Sequence, residues 1–380
     1  MKFSDIPGHD RAKQRLKEMA SSGRVPHAIL IHGPAGIGKF AIARAFAQLL
    51  HCSNPTADGE PCGECQQCRL HQGYNHLDTF FSFPVVKTDD KKDVTSQDYI
   101  GEFQEFMKES PWMDIDSWAL TFDKKNAHPI IYVTESNFLL RRLSTTGHGS
   151  GRKIVLIWLP ERMNAECANK MLKIIEEPYD DTIFIMSSDH PEELLPTIRS
   201  RCQDVELSRI SDNTLAQWIA VHHPEAAAEA RSIAHIAEGI TSAAESMITS
   251  ERKTDAVYFE LFVRLMRLAY ARDVAKLRIW AEDVNSIGRE SAVAFFTYCQ
   301  RLIRENFILN FNNRDINYLT PTEAEFSKRF APFVNEATAP LIVEHLNKAL
   351  IDIAGNTAGM FVCFDLAIKV ILAFANNKQQ

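Results

Sequence analysis

The chain has 380 residues, 45% of them hydrophobic, and a formal net charge of −7, which allows two or three soluble domains of roughly 100–200 residues each. An acidic balance excludes a protein that grips nucleic acid over its whole surface. Met1 is followed by Lys2-Phe3-Ser4-Asp5 rather than an apolar run, and no stretch of about 18 apolar residues occurs, so neither an export leader nor a membrane span is expected and the expected compartment is the cytoplasm.

Taken in chain order, Ala28-Ile29-Leu30-Ile31-His32 reads as a buried strand, followed by a glycine-rich turn and a helix over about Lys39–Leu50. Four cysteines crowd between Cys52 and Cys68. Further strands are expected at Phe83–Val86, Ile154–Leu159, Thr182–Ser187 and Asp204–Leu207, with a helix rich in Ala, Lys and Leu at about Ala165–Glu176. The polar, mixed stretch 87–130, with helical patches near Gln97–Lys108, reads as an insertion on the edge of the sheet. Past about Ser208 the strand signals fade. Thr214–Val221, Ala226–Ala237, Val257–Ala271, Ala292–Leu309 and Leu341–Ile353 repeat apolar positions every three or four residues, as amphipathic helices do. The pattern is an α/β layer followed by an all-α half.

Gly33-Pro34-Ala35-Gly36-Ile37-Gly38-Lys39-Phe40 fits the phosphate loop G-x-x-x-x-G-K-[ST] everywhere but its last place. Gly33, Gly36 and Gly38 let backbone N–H groups approach phosphates, Lys39 would reach them, and the helix N-terminus adds a favourable dipole. Phe40 stands where a hydroxyl should hold Mg²⁺. The strand Lys153-Ile154-Val155-Leu156-Ile157 should end in acidic residues that hold Mg²⁺ and orient water. It runs instead into Trp158-Leu159-Pro160, and Glu161 arrives about three residues late. Hydrolysis by this chain is not expected, and whether its loop still binds ATP stays open.

Cys52, Cys62, Cys65 and Cys68 follow C-x9-C-x2-C-x2-C, while Cys167, Cys202, Cys299 and Cys363 are scattered. Four thiolates at about 2.3 Å satisfy tetrahedral Zn²⁺, and short C-x-x-C hooks bring them together. With all four ligands supplied, the zinc would be structural; an iron–sulfur cluster or reduced thiols are the alternatives. His51, His71 and His76 flank the cluster and are expected to be ordinary surface histidines.

Three further stretches narrow the family: Ser22-Gly23-Arg24-Val25-Pro26-His27-Ala28, the run from Asn164 to Pro178, and Leu194-Leu195-Pro196-Thr197-Ile198-Arg199-Ser200-Arg201-Cys202. Together they resemble the clamp-loader ATPases of the AAA+ class, over about residues 1–207 apart from the insertion and loosely beyond. The resemblance implies an α/β P-loop (AAA+) domain with a parallel sheet and a zinc module (1–207, zinc module 52–68, insertion 87–130), an all-α lid (208–252) and an all-α C-terminal collar that holds subunits in a ring (253–380). It places a zinc module at the cysteine cluster, and Asn356-Thr357-Ala358-Gly359-Met360 with the helix after it resemble the family's closing helix. Active relatives carry a nucleotide-sensing arginine where this chain has Ala237-Glu238-Gly239-Ile240-Thr241-Ser242-Ala243-Ala244.

A broken nucleotide site beside an intact Ser200-Arg201-Cys202 looks like a subunit that lends its arginine rather than one that hydrolyses. The resemblance then gives Arg201 the role of a finger reaching a neighbour's ATP site in trans. The implied partners are the hydrolysing AAA+ subunits and the clamp-opening subunit of a bacterial DNA polymerase III clamp loader, the sliding clamp indirectly, and primed DNA through the assembled complex. No membrane partner is expected. An active ATPase subunit of the same machine and a nucleotide-locked structural subunit are the alternatives. A zinc-bearing nucleic-acid module is a weaker one, since only Arg69 adds positive charge near the cysteine loop.

Overall fold

The computed structural model describes residues 1–87, 93–122, 128–144, 152–179, 181–249, 251–311, 316–354 and 358–376, with only the backbone described at 251–256, 290, 321, 354 and 376. By internal packing the chain divides into two compact units, Met1–Trp218 with Ile236–Glu245, and Ile219–His235 with Ser246–Gln380.

In chain order, α1 (Asp10–Ser21), β1 (Ala28–His32), α2 (Lys39–His51), α3 (Gln66–Gln72) and β2 (Thr79–Ser82) are followed by α4 (Ile100–Glu109), α5 (Ile115–Leu120) and α6 (Val133–Leu143). Next come β3 (Lys153–Trp158), α7 (Ala165–Glu176), β4 (Thr182–Ser188), α8 (Pro196–Arg199) and β5 (Gln203–Glu206). The remainder is helical: α9 (Asp212–His222), α10 (Ala230–Ile236), α11 (Thr241–Thr249), α12 (Glu251–Ala271), α13 (Val274–Ser286), α14 (Arg289–Leu309), α15 (Pro321–Phe330), α16 (Thr338–Ala354) and α17 (Gly359–Asn376).

The first unit is built on a parallel sheet of order β2-β3-β4-β1-β5. Every residue of β1, β3 and β4 is buried, which is why these strands read as unbroken apolar runs rather than alternating ones. In α7 the Asn164 side chain accepts the Cys167 N–H at 2.9 Å as an N-cap. Cys167, Ala168, Met171, Ile174 and Ile175 then form one buried stripe packed in a common core with Val155, Ile157 and Phe184 of the sheet. With the phosphate loop after β1, this is a parallel α/β P-loop architecture followed by a mostly helical C-terminal part.

The strand expected at Phe83–Val86 is displaced. The sheet uses Thr79–Ser82, paired in parallel with Ile154–Ile157, and Val85 makes only an isolated antiparallel bridge with Ile130. Pro84 has no N–H to give a ladder; its carbonyl accepts Trp118 Nε1 at 2.7 Å, and the Phe83 N–H goes to Ser96 Oγ at 2.9 Å. Of the insertion, 88–92 and 123–127 lie outside the described residues. The rest packs tightly beside β2: Phe103 of α4 stacks on Phe83 with centroids 3.6 Å apart, and Trp118 of α5 is fully buried.

The second unit has its own core, including Phe262, Trp280, Phe295, Phe296, Leu346 and Leu366. Residues 355–357 of the closing segment lie outside the described residues, and Gly359 opens α17.

Candidate functional site

The phosphate loop lies at the carboxyl end of the sheet, where open α/β folds place their ligands, but its surface is taken by the chain itself. A Cβ on Gly33 (φ 147°) would collide with the Leu207 carbonyl, and one on Gly36 (φ 72°) with Ser242 Oγ. The Ser242 N–H donates to the Gly36 carbonyl at 2.9 Å. Trp112, from the insertion, lies 3.3 Å from where a Gly38 side chain would begin, and its ring meets Trp218 edge-on with centroids 5.3 Å apart. Thus the insertion supplies one wall of the loop, and the segment without the nucleotide-sensing arginine supplies another.

Lys39 is buried, its ammonium 2.7 Å from Asp189 Oδ1 and donating to the Pro34 carbonyl. Burial holds its pKa below the ordinary lysine value, with Asp189 opposing the shift. Phe40 turns inward and is 3% exposed, its centroid 6.1 Å from Phe103 and 6.4 Å from both Phe81 and Trp158. Sequence reasoning missed Asp189, which follows β4 directly, and underrated Glu161. Leu159 adopts a left-handed conformation that starts a short helical turn, and Glu161 Oε1 accepts the Asp189 N–H at 2.8 Å and the His190 N–H at 3.2 Å. Burial pushes the Glu161 carboxyl upward. The acidic group absent from the strand end therefore returns to the loop's neighbourhood, where it braces the backbone after β4.

Arg201 follows α8. Its Nη1 donates to the Thr197 carbonyl at 2.8 Å and its Nη2 pairs with Glu176 at the end of α7. Both side chains are more than a third exposed.

Cys52, Cys62, Cys65 and Cys68 converge with their sulfurs within 4.8 Å of one another; Cys52 and Cys62 Sγ are 3.5 Å apart, Cys62 and Cys68 3.8 Å. Four sulfurs at about 2.3 Å from a tetrahedral ion would be spaced by about 3.8 Å, so the cluster is compatible with zinc. Backbone N–H groups point at the sulfurs, Cys65 N to Cys62 Sγ at 3.3 Å and Cys68 N to Cys65 Sγ at 3.4 Å. Burial pushes the Cys68 thiol up to about 12. At Cys65 burial is outweighed by the Cys68 and Ser53 N–H groups, which bring it down to about 6. Without a cation the cluster would not ionise as a set, and a bound dication supplies the missing charge.

The three flanking histidines are not surface residues. His51 is 4% and His76 6% exposed, and the His51 and His76 rings stack at 4.0 Å with 9° between planes. His71 stacks on His76 at 4.4 Å. Burial, then the neighbouring His76, pushes His51 down to about 4; burial also lowers His71 and His76. The misreading has a physical source: α2 and α3 each deliver one imidazole, and the turn before β2 delivers the third, a convergence no local spacing announces.

A family model described as DNA polymerase III, delta subunit, matches residues 8–211, more than half of the chain. The chain belongs to that family, the delta-prime subunits of clamp loaders. A DNA polymerase III subunit delta' of Pseudomonas aeruginosa is 32% identical over 204 residues, 54% of this chain and 50% of the relative. The subunit delta' of Bacillus subtilis is 25% identical over 240 residues, 62% of this chain and 58% of the relative. The match thus spans about half the length of such relatives. Among solved structures, a DNA polymerase III gamma subunit-related protein from Thermotoga maritima aligns over 94% of this chain and 98% of its own at 14% identity and a TM-score of 0.39.

Proposed function

We propose that this chain is a non-hydrolysing clamp-loader subunit. It joins hydrolysing AAA+ subunits and a clamp-opening subunit in a ring, lends Arg201 to a neighbour's ATP site, and helps load the sliding clamp on primed DNA in the cytoplasm. In this reading residues 1–207, 208–252 and 253–380 are the AAA+ domain, lid and collar, and the four cysteines hold a structural zinc with no coordination position left open.

The observation that carries the reading is the state of the phosphate loop. Lys39, the group that would meet the phosphates, is neutralised by Asp189 and capped by the Pro34 carbonyl. Ser242 and Trp112 lie against the glycines, and Phe40 occupies an aromatic pocket instead of offering a hydroxyl to Mg²⁺. A nucleotide would have to displace all of these. Arg201 is differently placed. Its exposed pairing with Glu176 is of a kind worth about 0–1 kcal/mol. Exchange of that carboxylate for a neighbour's transferring phosphate is therefore cheap, and an arginine supplied in trans contributes about 10³–10⁵ in rate at the site it completes.

The test is reconstitution with partner subunits, clamp and primed DNA, comparing the ATPase rates of wild type and Arg201→Ala. A large drop with assembly intact is expected. An unchanged rate would make Arg201 a structural residue and leave the subunit as a scaffold.

A further inference from the structure

We propose that His51, His71 and His76 form a second metal site, separate from the four cysteines. It takes one first-row divalent cation of the imidazole-preferring kind: zinc, cobalt, nickel or copper. One ring nitrogen of each histidine lies within 4.8 Å of those of the other two.

The tautomers follow from the partners. His51 Nε2 faces the Arg152 carbonyl at 3.0 Å, which can only accept, so Nε2 carries the proton and Nδ1 keeps its lone pair. His76 Nε2 faces Gln67 Oε1 at 2.8 Å, while its Nδ1 accepts the Asp78 N–H at 3.2 Å; here too Nδ1 is the basic nitrogen. The Thr79 hydroxyl lies beside both nitrogens, 3.5 Å from His51 Nδ1 and 3.2 Å from His76 Nδ1, and a cation taking these lone pairs would replace the contacts they now accept from His71 and from the Asp78 N–H. His71 Nε2 closes the group, 2.8 Å from His51 Nδ1. It donates there now and becomes a ligand when its proton moves to Nδ1, so the neutral ring loses no proton overall.

Two features separate this arrangement from ordinary core packing. An outer acceptor, a backbone carbonyl or side-chain oxygen, holds the far N–H of His51 and of His76, as it does in metal-ligating imidazoles generally. And His51 and His76 are buried against each other, where apolar side chains would avoid the desolvation cost of polar rings. Arg44 and the amino terminus lie near enough to His71 to oppose a cation. The buried Asp78 beside His51 and His76 offsets them. Capture turns the stacked rings so that the nitrogens, not the faces, meet the ion.

The full-length, metal-free chain is titrated with Co²⁺, with absorbance and native mass spectrometry as readouts. Cobalt on four thiolates gives intense sulfur-to-metal charge transfer; cobalt on imidazoles gives ligand-field bands alone. Wild type should take two equivalents, one with charge transfer and one without. His71→Gln, at the least buried of the three positions, should lose the second equivalent and keep the first. Gln67→Ala, which removes only the outer acceptor, should weaken the second by about 10–100-fold. A wild type that stops at one equivalent under large excess overturns the proposal, as does a second equivalent that survives His71→Gln. His76→Gln repeats the test at a second ligand, with far-UV circular dichroism reporting whether the variant folds.

Discussion

Replacing Phe40 with threonine restores the missing letter of the phosphate loop, and it should damage the fold without creating an enzyme. Phe40 is 3% exposed, and its ring sits among Phe81, Phe103 and Trp158. A phenylalanine buries about 150–200 Å², which at about 25 cal/mol per Å² is worth about 4–5 kcal/mol. Threonine recovers about a third of that area and brings a hydroxyl into an apolar pocket, costing about 1–3 kcal/mol more where no partner meets it. The net loss should be about 4–6 kcal/mol, at or just above the range for truncating a buried aromatic. At an m-value of about 3 kcal/mol per molar, the urea midpoint falls by about 1 M or more. Trp112, Trp118, Trp158 and Trp218 all lie in the first unit, so tryptophan fluorescence chiefly follows the unit that is perturbed. The variant should bind no fluorescent ATP analogue and show no turnover, because Lys39 stays paired with Asp189 and Trp112 and Ser242 remain on the loop. A variant of wild-type stability that binds or hydrolyses ATP would refute the packing argument and the silent-loop reading together.

Two other perturbations separate structural roles. Glu135 Oε2 accepts the Ser96 N–H at 2.7 Å, and burial raises its carboxyl from 4.5 to about 7. A raised folded-state pKa favours the protonated form, so this contribution is complete below pH about 4.5 and is lost as pH rises through about 7. At about 1.4 kcal/mol per pH unit it is worth about 3 kcal/mol, and the stability of Glu135→Gln relative to wild type should improve by that order between pH 5 and 7.5 in paired urea titrations; a constant difference would show that Glu135 ionises freely in the fold. Chelation of a metal-loaded sample should deprotect amides of the 52–68 loop in hydrogen exchange while α12–α17 keep theirs, and global deprotection would show that the metal belongs to the main core.

Much of this was legible because parallel strands buried on both faces leave an unmistakable trace. β1 falls on Ala28–His32 and α7 on Ala165–Glu176 as their residues foretell, since their burial is set by local pattern alone. Legibility failed where a side chain's fate depends on distant chain. Phe83–Val86 has the composition of a strand, but Pro84 gives its carbonyl to Trp118, 34 residues on, and the ladder moves to Thr79–Ser82. The four cysteines declared themselves by spacing. The histidines beside them did not, because His51 and His76 meet only after α3 folds back. Asp189 carries no motif of its own and is recognised only by the 2.7 Å contact to Lys39.

The retention of the loop itself has a physical cause that needs no nucleotide. Gly33 and Gly36 adopt left-handed conformations and lie where any side chain would strike Leu207 or Ser242, so the close approach that elsewhere admits phosphate here admits the protein's own backbone. Lys39 is equally constrained: it is buried, and losing the half-buried Asp189 beside it would leave its charge unpaired. Phe40, by contrast, stands at the position where the family's chemistry would need a hydroxyl and where this chain's packing needs an apolar ring. The residues that match the motif thus have a structural use in this fold, and Phe40, which departs from it, has one as an apolar ring. On the silent-loop reading, replacing Gly33 or Gly36 should therefore cost stability even with no nucleotide present, because the added side chain meets Leu207 or Ser242.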